Sequence, residues 1–152
     1  MNATTDRIEK NVFLKAKRAR VWRALSDHTE FGQWFGVKLE GPFVPGQPVS
    51  GQITYPGYEH LRMTVHAERV EPESVLAFRW HPAAIDQTVD YEKEPTTLVT
   101  FTLTERDGGT QLDVVETGFD ALPAERRATA FRMNDGGWTQ QMKSVEAHVA
   151  KG

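Results

Sequence analysis

The sequence predicts one α+β domain: a curved antiparallel sheet of about six to seven strands around a long C-terminal helix, with two short helices after the first strand. Three observations carry that expectation. Short runs of alternating apolar residues recur between Arg7 and Thr117, separated by turns rich in Gly and Pro. A helically spaced stripe of Trp138, Met142, Val145 and Val149 closes the chain. Strands joined by short turns pair antiparallel, and a single apolar helix stripe has to be buried across such a sheet. At 152 residues the chain fits one domain, residues 1–152, with its core over about 7–150.

The elements follow in order. Arg7 to Lys15 alternates, with Ile8, Val12 and Leu14 on one side, while Lys10 breaks the pattern and predicts a half-exposed start. Arg18 to Ser26 has Val21, Trp22 and Leu25 at helical spacing. Asp27 and Glu30 have capping-box spacing and predict a second helix carrying Phe31, Trp34 and Phe35. Eight Gly and Pro residues between Gly41 and Gly57 exclude a helix there and leave short strands near Val37–Glu40 and Val49–Tyr55. Leu61 to Val70 forms a longer strand with Leu61, Met63, Val65 and Ala67 on one face. Val70 is out of phase, which predicts a bulge or the strand's end. Val75 to His81 is the next strand. Pro82 to Pro95 is a long loop with Asp86, Asp90, Glu92 and Glu94. Leu98–Thr104 and Thr110–Thr117 make a hairpin across Asp107-Gly108-Gly109, whose residues supply positive φ angles. Pro123 then opens a helix to Lys151, with a kink or restart expected at Gly136-Gly137.

Composition narrows the function classes. A formal charge of -3 gives no general attraction to nucleic acid or anionic membrane, so neither is an expected partner. Lys15, Lys17, Arg18, Arg20 and Arg23 are the one basic concentration. The absence of cysteine excludes disulfides and thiolate chemistry. No signal peptide and no apolar run of about 20 residues is present, so a cytoplasmic location is expected. The five histidines have no metal-site spacing, no P-loop or dinucleotide fingerprint occurs, and no serine sits in an elbow motif. The expectation is therefore no metal, no cofactor, and a binding protein before an enzyme.

With these residues, that order resembles a known family. Val21-Trp22-Arg23-Ala24-Leu25, preceded by Lys17 and Arg18, is similar to the first-helix motif of START/polyketide cyclase/Bet v 1-like (SRPBCC) domains. Trp34-Phe35, Gly108-Gly109-Thr110, Glu116-Thr117-Gly118-Phe119 and Gly137-Trp138 narrow the resemblance to the homologues of the activator of heat-shock protein 90 ATPase. It covers about Arg7 to Ala150. The resemblance implies the helix-grip fold, with a cavity between sheet and helix for a small apolar molecule: a lipid, polyketide or aromatic compound. The branch name also implies a chaperone partner, for which the cluster around Arg18 and Arg20 is the candidate surface. In the co-chaperone that supplies the name a separate N-terminal domain precedes this one. These 152 residues leave no room for it, so that reading takes second place.

A cavity of this kind needs apolar walls and a few converging polar groups. Trp34, Phe35, Tyr55, Tyr58 and His60 are the candidate entrance. Met63, Val65, Phe78, Trp80, Val99, Phe101, Leu112 and Val114 are the candidate wall, closed by Trp138, Met142 and Val145. Glu116 follows Leu112 and Val114 in strict alternation, so its carboxylate is expected to point inward. A buried carboxylate needs partners, and Glu116 with a Tyr or His is the candidate acid–base pair of a third reading, a cyclase- or hydrolase-like enzyme. His81 and Asp86 stand at the edge of the acidic loop without a motif around them. The small Ala67 and the flexible Met63 and Met142 suggest adaptable space in the interior.

Overall fold

In a computed structural model, which describes residues 7–82, 84, 88 and 90–151, the first strand pairs with the last. Strand β1 (Arg7–Leu14) runs antiparallel to β7 (Gly109–Thr117), from Arg7 opposite Thr117 to Leu14 opposite Thr110. The sheet continues through β6 (Thr97–Arg106), β5 (Val75–Trp80), β4 (Arg62–Glu71), β3 (Pro48–Ile53) and β2 (Val37–Leu39), giving the order β1-β7-β6-β5-β4-β3-β2. Every neighbouring pair is antiparallel. Helices α1 (Arg18–Ser26) and α2 (His28–Phe35) fill the interval between β1 and β2, and α3 (Ala124–Ala150) closes the fold. This is the helix-grip architecture. No helix of the described residues is long and apolar enough to cross a membrane.

Alternation sets the inner face. Thr97, Val99, Phe101 and Leu103 of β6 are buried, as are Leu112, Val114 and Glu116 of β7, with Val99 opposite Glu116 and Phe101 opposite Val114. Ala130, Trp138, Met142, Val145 and Val149 of α3 are buried too, with the Trp138 ring 5.6 Å from that of Phe101. Aromatic rings fill one end of the interior. Phe31 lies 4.9 Å from Trp34 and 5.3 Å from Phe43, and Phe78 lies 6.1 Å from both Phe43 and Phe101.

The structure adds detail to four local expectations. The bulge lies at Glu68, where pairing passes from Ala67–Phe78 to Arg69–Ala77, and the displaced Glu68 meets Arg79 at 2.7 Å. The start of β1 is half exposed as expected, and what the spacing did not show is the partner of Lys10: Asp135 of α3, 3.0 Å away. The Asp107-Gly108 turn supplies the positive φ angles of 50° and 78°. Gly109 is needed for another reason, because a Cβ there would stand 2.5 Å from the Leu14 carbonyl oxygen. Helix α3 runs through Gly136-Gly137 unbroken. The glycines cost roughly 1 kcal/mol each against alanine, and anchors on both sides, Asp135 on Lys10 and Trp138 on Glu116, hold the helix together there.

Asp27 caps α2 as its spacing predicts, accepting from the backbone N–H groups of Thr29 (2.9 Å) and Glu30 (3.1 Å). The reciprocal half of the box is absent, because Glu30 is engaged elsewhere. It accepts from Arg20 (2.9 Å) and Arg23 (2.6 Å) of α1 and lies 2.9 Å from His148 of α3. Three helices meet on this one carboxylate.

Candidate ligand cleft

Beyond the aromatic cluster the sheet and α3 separate. A cleft of about 490 Å³ opens there, bounded by Phe35 and Gly36 at the end of α2, Ile53 and Tyr55 after β3, and Leu61 to Thr64 at the start of β4. Trp80 at the end of β5, with His81 just after it, lies on its floor. Met133, Asn134 and Gln141 of α3 form the opposite side, and Ala84, Tyr91 and Glu92 a further wall. A smaller recess of about 150 Å³ adjoins it, sharing Phe35, Trp80, Asn134 and Gln141 and adding Gly137 and Trp138.

The floor rests on Glu116. The residue is fully buried, and both of its oxygens are occupied. Oε1 accepts from Trp138 Nε1 (2.8 Å) and Asn134 Nδ2 (2.9 Å). Oε2 accepts from Trp80 Nε1 (2.8 Å), Thr97 Oγ1 (2.5 Å) and Asn134 Nδ2 (3.1 Å). These donors come from β5, β6 and α3, so one side chain of β7 ties the sheet to the helix. Glu116 itself does not border the cleft. As an acid–base group it would have to release donors that hold the floor in place, and the arrangement suits a positioning role.

The wall carrying Tyr91 is fixed from α3. Arg126 donates to Glu94 Oε1 (2.9 Å) and to the Pro82 carbonyl (3.1 Å), and its guanidinium lies 4.8 Å over the Tyr91 ring. His81 Nε2 lies 3.1 Å from the Glu94 carbonyl oxygen. Asp86 lies outside the described residues.

The sequence-derived site divides in two. Phe35, Tyr55, Met63 and Trp80 border the cleft and Trp138 borders the recess. Val65, Phe78, Val99, Phe101, Leu112, Val114 and Met142 border neither. They are buried core, because the aromatic cluster fills the concave face at that end. Trp34 is likewise core and not entrance, its indole donating to the Ala24 carbonyl at 2.8 Å. Tyr58 and His60 are exposed beside the cleft, with the Tyr58 ring 5.9 Å from Tyr55. Ala67 leaves no space: it pairs with Phe78, whose ring stacks on Phe43.

Asn134 and Gln141 were not among the expected residues. The signal was present, since Asn134 stands four residues before Trp138 on the inward stripe of α3, where a polar side chain needs a partner. Within the basic cluster, Arg20 and Arg23 are bound to Glu30.

Residues 15–150 match the family described as "Activator of Hsp90 ATPase homolog 1-like protein". The chain belongs to this family. A protein from Arthrobacter aurescens has the same fold, with a TM-score of 0.80 at 16% identity over 100% of this chain and 90% of that one. A Mesorhizobium loti protein gives 0.75 at 21% identity, covering 95% and 97% of the two chains. DynU16, from the dynemicin biosynthetic locus, gives 0.73 at 23% identity over 95% of this chain. This family member spans about half of DynU16, 47% of its length. No curated protein matches the chain.

Proposed function

We propose that this family member binds a small, largely apolar molecule in the cleft between the sheet and α3. The cleft itself carries the reading. Its volume of about 490 Å³ falls within the range of roughly 300–1,000 Å³ used for small-molecule sites. Phe35, Ile53, Leu61, Met63, Trp80 and Met133 give it apolar walls, and a few polar groups from α3 and the Tyr91 segment converge on it. The bonds around Glu116 and Arg126 build two of its sides before any ligand arrives, which lowers the cost of ordering on binding.

The test is a thermal-shift panel of lipids, polyketides and aromatic compounds, with native mass spectrometry of protein purified from its own host. A ligand at 100 times its dissociation constant adds about 2.7 kcal/mol, a melting rise of very roughly 5–11 °C for a chain of this length. Lys143→Glu, on the exposed side of α3, should leave the rise intact. If the whole panel gives no shift and no small molecule co-purifies, the reading fails.

A further inference from the structure

Asn134 and Gln141 border both the cleft and the recess, and the way each amide is turned follows from its partner. Asn134 lies 2.9 and 3.1 Å from the two oxygens of Glu116. Those oxygens already accept from two indole N–H groups and the Thr97 hydroxyl, so Asn134 must show them its NH2. Gln141 lies 2.9 Å from the Phe35 carbonyl oxygen, which can only accept, and its NH2 is fixed in the same way. Each amide therefore turns its carbonyl oxygen away from its partner. Among the described residues neither Asn134 Oδ1 nor Gln141 Oε1 has a protein donor, and neither is shut off from solvent.

Gly137 stands between them, three residues after one and four before the other. That places roughly 4.5 Å of helix rise on one side of it and roughly 6 Å on the other. A Cβ at Gly137 would meet no atom within 4 Å. The recess over it holds about 150 Å³ and is walled by Phe35, Trp80 and Trp138. Space of about that size takes up a benzene-sized guest. The indole N–H groups of both tryptophans are used on Glu116, so these walls offer a guest apolar contact and no donor. What remains is aromatic walls, two carbonyl oxygens and the second N–H of Gln141, whose first is used on Phe35.

We propose that the recess is the subsite for an aromatic ring carrying a hydrogen-bond donor, a phenol in the simplest case, with the rest of the molecule in the larger cleft. The inference rests on the reading of the cleft as a binding site and adds the ligand's chemical class. A hydroxyl or N–H on the ring satisfies Asn134 Oδ1 or Gln141 Oε1. A methoxy group or a carboxylate can accept from the second N–H of Gln141 but supplies no donor, so both carbonyl oxygens lose water without replacement.

Titration calorimetry with 2-naphthol and with its methyl ether tests this on the wild-type protein. Naphthol should bind at least about tenfold tighter, the ratio expected when one well-made hydrogen bond is lost and its acceptor stays covered. Gln141→Met and Asn134→Leu remove the acceptors in turn, and at least one should narrow the ratio threefold or more by weakening naphthol alone. Gly137→Leu should abolish binding of both compounds while circular dichroism shows the helix retained. Equal binding of the two compounds by the wild type overturns the phenol subsite and leaves the cleft reading standing. So does a tenfold ratio that neither acceptor variant alters. If neither compound binds and the wider panel is also silent, the subsite and the cleft reading fall together.

Discussion

Trp80 and Trp138 stack with ring centroids 5.8 Å apart at 28°, and each donates its indole N–H to a different oxygen of Glu116. One carboxylate thus sets the position of two large rings on opposite sides of the sheet–helix gap. Glu116→Gln keeps the shape but turns an NH2 toward one of the two indole N–H groups, which can only donate. At least one indole N–H then loses its acceptor inside the protein, at a cost of about 1–3 kcal/mol. Urea unfolding followed by tryptophan fluorescence should show that loss, with a red-shifted native spectrum. An unchanged midpoint and spectrum would show that the network does not hold the rings.

Trp138 is 2% exposed. Trp138→Ala removes its whole ring and should cost about 3–5 kcal/mol. Trp138→Phe leaves aromatic packing and removes the N–H, so its cost should approach that of Glu116→Gln. A Trp138→Ala protein as stable as the wild type would mean that α3 is not packed on the sheet as described.

Glu30 predicts an acid limit to stability. Burial pushes its carboxyl up, and the hydrogen bonds from His148 and Arg23 with the nearby Arg20 outweigh that, holding it below its ordinary value of 4.5. A carboxyl lowered on folding stabilises the native state above that value, and the contribution fades as pH falls through the lowered one. The stability gap between wild type and Glu30→Gln should therefore be full near pH 6 and shrink below about pH 4.5. Denaturant midpoints across this window check it. A gap independent of pH contradicts the three-helix junction.

Arg126→Ala cuts the ties to Glu94, Pro82 and Tyr91 together. The expected result is faster amide hydrogen exchange from Tyr91 to Glu94, with β6 and β7 unaltered. Weaker ligand binding should accompany it, since Tyr91 and Glu92 border the cleft. Unchanged exchange over these residues would show that the wall is held by other contacts.

Gly137→Ala offers a change of opposite sign. An alanine Cβ meets nothing there, and within a helix it should stabilise by about 0.4–1 kcal/mol. The same methyl group intrudes on the recess, so ligand affinity should fall while the melting temperature rises. Loss of stability would mean that the helix is not regular at this point.

The sheet was legible because alternation is a local property: Leu112, Val114 and Glu116 point inward by counting alone. The cleft was legible only in part. Phe35, Tyr55, Met63 and Trp80 reach it, yet nothing in the spacing of Phe78 or Phe101 shows that they pack on each other and on Phe43 rather than line space. Ala67 was misread for the same reason, since a small residue marks a gap only if its neighbours leave one. Asn134 escaped attention because its partner, Glu116, is 18 residues away on another element. Polar residues on an apolar stripe report such partnerships only once the second group has been placed inside.

The pairing of β1 with β7 has a consequence for how the chain is made. Arg7 meets Thr117 and Leu14 meets Thr110, so the first strand emerging from a ribosome waits while roughly 100 residues follow. At about 5–20 residues per second that interval is on the order of 5–20 s. During it the apolar side of β1, with Ile8 and Leu14, has no partner strand. Its outward residues include Arg7, Glu9 and Asn11, and Lys10 stands among the inward ones. Charged and polar side chains of this kind disfavour pairing with another nascent chain. Lys10, later joined to Asp135 in the finished fold, thus also guards the unfinished one.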